Sequence, residues 1–299
     1  MSITQFRIPD SPASAPLPVT FQTLRDKKQS GTPISALTAY DYATARLVDE
    51  AGIDLILVGD SLAQVVLGYE NTLPVTVEEM LHHTRAVRRA VKRAIVAADM
   101  PWGSYHLSVD SGVANAVRFV KEAGAQAVKI EGGASRAELV ERLTSAEIPV
   151  IGHLGLTPQS VHRMGGYKVQ GKTAAAINEL LRDAHLLESA GAVLLVLEGM
   201  PREVAARITA EVGIPTVGIG AGPDCDGQIL VFHDLVNLSF TNPAKFVRHY
   251  GDAAALFRNA IEHYRQDVEG HAFPADSESY HLPKDAAATL EGAVLRDKA

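Results

Sequence analysis

The sequence comprises 299 residues with 46% hydrophobic and 21% charged side chains and a formal net charge of −7, the composition of a globular protein with ample surface to bury. Because the acidic excess is spread along the chain and no apolar stretch is long enough to cross a bilayer, we expect neither nucleic-acid binding nor membrane insertion. The lone Cys225 excludes an internal disulfide and a thiolate metal cage, and it suits a cytoplasmic protein.

The chain begins with a proline- and serine-rich stretch that predicts a flexible segment over residues 1–19 and no signal peptide. From residue 20 to residue 274, short apolar runs alternate with amphipathic runs, which predicts one domain of alternating strands and helices. The predicted strands are 34–40, 54–58, 94–98, 126–130, 150–154, 192–197, 216–219 and 228–232. The predicted helices are 42–50, 77–92, 109–123, 135–145, 174–190 and 202–212. Residues 275–299 form a polar and then alanine-rich tail to which we assign no function.

Six of these strands end on residues that can do chemistry. The six ends are Gly59-Asp60-Ser61, Asp99, Lys129 to Gly133, His153, Glu198 and Gly220-Ala221-Gly222. In a (β/α)8 barrel the carboxyl ends of the strands meet on one face and carry the catalytic groups. The sequence therefore predicts an α/β protein of the (β/α)8 TIM-barrel class with one site at that face.

Charge at this face indicates a metal. Lys129 and Glu131 are two residues apart on one strand, so both side chains point to the barrel mouth if Ile130 packs outward. That pair alone would be explained by an ion pair at the rim. Asp60 and Asp99 add two carboxylates, and three carboxylates repel one another unless a cation lies among them. Carboxylate oxygens without thiolates favour a hard divalent ion, Mg2+ before Zn2+.

For three acidic or basic residues, a purely structural role is also open. His153 is either a fourth metal ligand or a hydrogen-bonded support, and we favour a supporting or substrate-facing role. Asp60 would also suit a turn that caps a helix, because Asp is a preferred capping residue. Asp41 is expected to be only a cap on the first predicted barrel helix.

Two glycine-rich stretches resemble nucleotide-binding motifs, but we expect neither to be a nucleotide site. Gly166 to Thr173 fits G-x-x-x-x-G-K-[ST], but a phosphate-binding loop of that kind must leave a buried strand directly and open a helix. The preceding predicted strand ends near Leu154, so we expect a mobile basic loop over the barrel mouth instead. Gly218 to Gly222 lacks the third glycine of a dinucleotide site and is followed by Pro223.

Seven runs between about residues 21 and 274 together resemble the ketopantoate hydroxymethyltransferase family. They are Leu37–Asp41, Val58–Leu62, Thr72–Thr76, Val128–Gly133, Gly152–Gln159, Gly165–Gly171 and Asp226–Val231. The resemblance implies a Mg2+-dependent barrel enzyme of the phosphoenolpyruvate/pyruvate type that acts in pantothenate and coenzyme A biosynthesis. It implies transfer of a hydroxymethyl group from 5,10-methylenetetrahydrofolate to 3-methyl-2-oxobutanoate, giving 2-dehydropantoate. It also implies a homodecamer.

The resemblance assigns roles position by position. The implied metal ligands are Asp60, Asp99 and Glu131, and the implied proton acceptor is Glu198. The implied oxoacid-binding groups are Asp60, Ser61, Asp99 and Lys129, with His153 nearby. Removal of the C3 proton of the oxoacid would leave an enolate that Mg2+ stabilises, and that carbon would attack the folate-derived methylene group. Departures from the family pattern at Ala63-Gln64 and Trp102 concern the shape of the pocket.

Three other functions remain open from the sequence. A lyase or mutase resembling the isocitrate lyase and phosphoenolpyruvate mutase group would need a mobile cysteine nucleophile, for which Cys225 is a poor candidate. A class I aldolase would form an imine on Lys129, but carboxylate neighbours favour the protonated, poorly nucleophilic lysine. A barrel that binds an oxoacid without turnover would show no proton exchange.

Overall fold

Within residues 17–283 and 286, which the computed structural model describes, eight parallel strands close into a barrel in chain order. The strands are β1 (Ile34–Thr38), β2 (Leu55–Val58), β3 (Ile95–Asp99), β4 (Ala127–Glu131), β5 (Val150–Gly155), β6 (Leu194–Glu198), β7 (Thr216–Ile219) and β8 (Gly227–Leu230). The predicted (β/α)8 barrel is therefore confirmed.

Helices follow the strands, with additional short helices in several connections. The α-helices are α1 (Phe21–Ser30), α2 (Tyr42–Glu50), α3 (Leu62–Val65), α4 (Val77–Ala90), α5 (Val109–Ala123), α6 (Ala137–Ser145), α7 (Val161–Met164), α8 (Ala174–Ser189), α9 (Arg202–Glu211), α10 (Phe232–Leu235) and α11 (Ala253–Glu269). Short 3-10 helices cover Ala134–Arg136, Pro158–Ser160 and Asp276–Glu278. The side chain of Asp41 caps α2 by accepting a hydrogen bond from the Thr44 amide, as predicted.

Alternation of side chains along each strand builds two hydrophobic layers. Leu55 and Leu57 of β2 belong to the cluster inside the barrel, whereas Ile56 and Val58 belong to the cluster between the strands and the helices. Both faces are thus buried, which explains why parallel strands have nearly continuous apolar sequences. Ile130 lies in the outer cluster, so its two neighbours on β4 point inward, as the parity argument predicts.

Strand register aligns the functional ends. Asp99 at the end of β3 pairs with Lys129 of β4, and Glu131 pairs with His153 of β5. Glu198 at the end of β6 pairs with Gly155 of β5. Groups from four successive strands therefore lie at the same end of the barrel, where the strands terminate.

The structure corrects the last predicted strand and adds elements that were not predicted. β8 ends at Leu230 and not at residue 232, because the Phe232 amide donates a hydrogen bond to Thr38 Oγ1 and Phe232 opens α10. Only residues 220–226 connect β7 to β8, with no helix between them. Helix α1 was not predicted; its Leu24 joins the cluster inside the barrel, and Lys27 bonds to Asp54 just before β2.

The chain divides into two compact units, the first ending at Tyr250 and the second starting at Gly251. The second contains α11, and in it the rings of Tyr264 and Phe273 lie 5.5 Å apart. The boundaries at residues 19 and 274 stay predictions. Residues 1–16 of the predicted flexible start, and residues 284–285 and 287–299 of the predicted tail, lie outside the described residues. No described helix combines the length and apolar character needed to cross a bilayer.

Candidate active site

A cavity of about 830 Å³ opens where the strands end. All seven residues that the sequence assigned to the site line it: Asp60, Ser61, Asp99, Lys129, Glu131, His153 and Glu198. Its deeper wall is apolar and includes Leu57, Val196 and Ile229. The cavity therefore joins a cluster of charged groups to an apolar surface that could receive a small branched ligand.

Lys129 lies at the centre of the charged groups. Its ammonium Nζ is 2.7 Å from Asp99 Oδ1, 3.8 Å from Glu131 Oε1 and 3.3 Å from His153 Nδ1. Burial opposes the charged form, but Asp99 and Glu131 prevail and raise the pKa of Lys129 above its ordinary value. The ammonium of Lys129 is thus the first cation that lies among the carboxylates. A lysine held in the protonated form is also a poor nucleophile for imine formation.

Asp60 is the carboxylate that this lysine compensates least. It is buried, and its backbone amide donates to Asp99 Oδ2 at 2.9 Å. Burial and then the negative charges of Asp99 and Glu131 raise the pKa of Asp60 well above its ordinary value. A further cation close to Asp60 would relieve this repulsion.

His153 links the carboxylates of β4 and β6. Nδ1 is 3.3 Å from Glu131 Oε1, and Nε2 is 3.2 Å from Glu198 Oε2. Burial and Lys129 oppose the imidazolium, but the two carboxylates outweigh them and raise the pKa of His153 to about 9. This arrangement supports the interpretation of His153 as a support that pairs with two carboxylates more than as a metal ligand.

The carboxylate oxygens at this site are the groups that would hold the predicted Mg2+. Among the described residues, no three Asp, Glu, His or Cys side chains surround a common point as a preformed metal cage would. Mg2+ usually keeps several waters and takes only one or two protein carboxylates. Asp99 Oδ1 and Glu131 Oε1 are buried and accept no hydrogen bond, although both are within ion-pair distance of Lys129. Together with Asp60, which Lys129 compensates least, these oxygens are donors of the kind that a hydrated Mg2+ ion takes.

The glycine-rich stretch at residues 166–173 does not form a phosphate-binding loop. β5 ends at Gly155, and a 3-10 turn and α7 come before Gly165 and Gly166, whose φ angles are 64° and 107°. Tyr167 and Lys168, which follow, line the cavity. The connection lies at the barrel mouth, as expected, and its mobility stays a prediction.

Two groups of residues near the site were missed by the sequence analysis. Residues 241–246 also line the cavity, and Phe246 packs on Gly220 so closely that a Cβ there would be 2.6 Å from the ring. Gly220, directly after β7, therefore makes room for this ring. Gln159 and Tyr105 are buried behind the carboxylates and hydrogen-bond to each other at 2.7 Å.

Cys225 is remote from this chemistry. It follows β7, and among the described residues no cysteine lines the cavity. Burial raises the pKa of its thiol, which disfavours the reactive thiolate. These observations argue against a lyase mechanism with a cysteine nucleophile.

Comparisons with known proteins agree on one family. The family model described as "Ketopantoate hydroxymethyltransferase" matches residues 18–276. A Koribacter versatilis protein named 3-methyl-2-oxobutanoate hydroxymethyltransferase is 68% identical over 273 residues, covering 91% of this chain and 92% of its own. A protein of the same name from Gloeobacter violaceus is 56% identical, covering 85% of this chain and 97% of its own.

Solved structures share the fold at low sequence identity. A 2,3-dimethylmalate lyase of the PEP mutase/isocitrate lyase superfamily has a TM-score of 0.56 and 18% identity, covering 95% of this chain and 98% of its own. A phosphonopyruvate hydrolase in complex with oxalate and Mg++ has a TM-score of 0.56 and 16% identity, covering 93% and 97%. These similarities show that this chain shares the (β/α)8 barrel fold with those structures.

Proposed function

The chain belongs to the ketopantoate hydroxymethyltransferase family, and from this membership we propose that it transfers a hydroxymethyl group to 3-methyl-2-oxobutanoate, giving 2-dehydropantoate. The proposed one-carbon donor is 5,10-methylenetetrahydrofolate, with water supplying the hydroxyl oxygen. The observation that carries the proposal to this chain is that all seven residues implied by the family resemblance line one cavity.

The reaction needs a carbon nucleophile at C3 of the oxoacid. That carbon loses a proton only if the negative charge developing on the keto oxygen is stabilised. Mg2+ held by Asp60 and Asp99, with Glu131 close by, would supply a Lewis acid for this charge, worth several kcal/mol. Lys129 supports the same task, because its buried ammonium lines the cavity and carries three N–H donors.

Glu198 is the proposed base. One of its carboxylate oxygens, Oε2, faces His153 Nε2 at 3.2 Å, which leaves Oε1 for the C3 proton. Its side chain is 17% exposed and lines the cavity, so it has access to a bound ligand. Glu198 would hold this proton, with His153 keeping the carboxyl group in place, while C3 forms a bond to the methylene carbon. The two bonds from that carbon to folate nitrogens break, water adds its hydroxyl group there, and the C3 proton and the remaining water proton go to the nitrogens of the departing tetrahydrofolate.

The remaining cavity supports a second, larger substrate. A volume of about 830 Å³ exceeds what a five-carbon oxoacid fills. The part of the wall formed by Tyr167, Lys168 and Phe246 supplies aromatic rings and a cation. We propose that the folate occupies this part and presents its methylene carbon to C3.

Two further properties follow from the family resemblance. We propose that the protein assembles as a homodecamer and works in the cytoplasm. Light scattering of the purified protein would give the molar mass of the assembly, and a mass below that of ten chains would contradict the first proposal.

Product formation tests the proposed function. Purified protein is incubated with 3-methyl-2-oxobutanoate, with and without 5,10-methylenetetrahydrofolate and Mg2+, and 2-dehydropantoate is measured by mass spectrometry. We expect product only when both are present, loss of product in EDTA, and recovery when Mg2+ is restored. Oxoacid binding without product under the complete conditions would contradict the proposal.

A further inference from the structure

Gln159 connects two of the carboxylates from behind the cavity. It is 5% exposed and belongs to the 3-10 turn after β5. Its side-chain Nε2 donates to Asp60 Oδ2 at 2.9 Å, and its backbone amide donates to Glu131 Oε2 at 3.0 Å. One residue thus contacts side chains from β4 and from the end of β2.

Its amide group has only one workable orientation. Nε2 also donates to the Met100 carbonyl at 3.0 Å, so both of its partners are pure acceptors. Oε1 accepts from the Tyr105 hydroxyl at 2.7 Å, and that hydroxyl accepts from the Glu131 amide at 3.0 Å. Every polar atom of the Gln159 side chain is therefore satisfied, which makes the arrangement rigid.

We propose that Gln159, oriented by Tyr105, is a positioning residue that fixes Asp60 and Glu131 for binding of Mg2+. This inference rests on the proposed function. Gln159 engages one oxygen of each carboxylate and leaves the other, and Glu131 Oε1 faces Lys129 and His153. A neutral amide suits this place because a cation would cancel charge that the metal needs and a third carboxylate would repel Asp60.

Two substitutions separate positioning from simple packing. Gln159→Met keeps the length of the side chain and removes both hydrogen-bonding groups, and Tyr105→Phe removes only the hydroxyl that orients the amide. Gln22→Met is the matched control, because Gln22 Nε2 also donates to an aspartate, Asp26 Oδ1 at 2.8 Å, but at an exposed position of α1.

Binding of Mn2+, used as a probe for Mg2+, is measured by electron paramagnetic resonance without substrates, and thermal unfolding is measured in EDTA. Loss of a group that orients a metal ligand typically weakens metal affinity by about 10- to 100-fold. We expect a loss in this range for Gln159→Met, a smaller loss for Tyr105→Phe, and wild-type affinity for Gln22→Met. In the double variant the losses should be less than multiplicative, because both residues act through one network.

The outcomes are distinguishable. If wild-type protein binds Mn2+ and Gln159→Met binds it equally well, the inference is overturned even if the variant unfolds at a lower temperature. Should Gln159→Met not fold, equal affinity in wild type and Tyr105→Phe would overturn it. If the wild type itself bound no Mn2+, the metal in the proposed function would fail, and this inference with it.

Discussion

Replacing Lys129 by methionine removes the one ammonium that lies among three buried carboxylates. The change keeps most of the apolar stem of the side chain and takes away its charge. Because Asp99, Glu131 and Asp60 are each only 2–4% exposed, water cannot replace the lost charge. We expect the protein without Mg2+ to be strongly destabilised.

The size of the effect follows from the distances. With an effective dielectric constant of about 20, the attraction is about 6 kcal/mol for the pair with Asp99 and about 4 kcal/mol for the pair with Glu131, from separations of 2.7 and 3.8 Å. Desolvation of the buried ammonium offsets several kcal/mol of this. A net loss of about 3–5 kcal/mol is expected, the range found when one partner of a buried ion pair is removed.

Urea unfolding followed by circular dichroism, at one protein concentration with EDTA or with Mg2+, measures this effect. The rise in unfolding free energy caused by Mg2+ should be larger in Lys129→Met than in wild type, because the ion then compensates the carboxylates alone. Lys28→Met is the control: its ion pair with Asp226, 2.8 Å long, lies at the other end of the barrel. An equal response to Mg2+ in wild type, Lys129→Met and Lys28→Met would refute the reasoning.

Three further predictions concern charge, metal and nucleotide. Burial opposes the charged form of Asp54, but Lys27 and Arg93 prevail and hold its pKa below its ordinary value of 3.8. Asp54→Asn should therefore unfold with a free energy about 3 kcal/mol lower than wild type near neutral pH, and this difference should be lost as the pH falls through the pKa of Asp54 in the folded protein. A difference that stays unchanged at low pH in urea unfolding would contradict this. Asp99→Ala should raise the Mg2+ concentration needed for half-maximal product formation and weaken oxoacid binding, whereas full activity in chelator would remove Asp99 from the metal site. Calorimetry should detect no ATP binding, and micromolar binding that Lys172→Ala abolishes would restore a phosphate-binding loop at residues 166–173.

The barrel could be predicted because its signals are local. Apolar runs of strand length, helix caps such as Asp41 and terminating glycines such as Gly124 lie within a few residues of the boundaries that they set. The end of β8 could not be predicted, since Val231 and Phe232 continue an apolar run. What ends the strand there is a hydrogen bond to Thr38, 194 residues away.

Part of the candidate site could likewise be predicted from signals within single strands, and part of it could not. Strand parity suffices to aim Lys129 and Glu131 at the barrel mouth, and strand order suffices to bring in Asp99 and His153. Gln159 carried no such signal, because its partner Asp60 is 99 residues away and the turn between has no periodicity. Residues 241–246 likewise follow the last strand in irregular chain, and only the closed barrel brings them to the cavity.

Exchange of the C3 hydrogen of 3-methyl-2-oxobutanoate into D2O, measured by NMR with Mg2+ and without folate, tests the central claim most directly. Wild-type protein and Glu203→Gln, an exposed control on α9, should catalyse this exchange at the same rate. Glu198→Gln should exchange about 10²- to 10⁴-fold more slowly, the usual contribution of a general base, while it binds Mg2+ and the oxoacid with near wild-type affinity. Exchange at the wild-type rate in Glu198→Gln would show that another group, with His153 the nearest candidate, removes the proton and that the proposed chemistry is wrong.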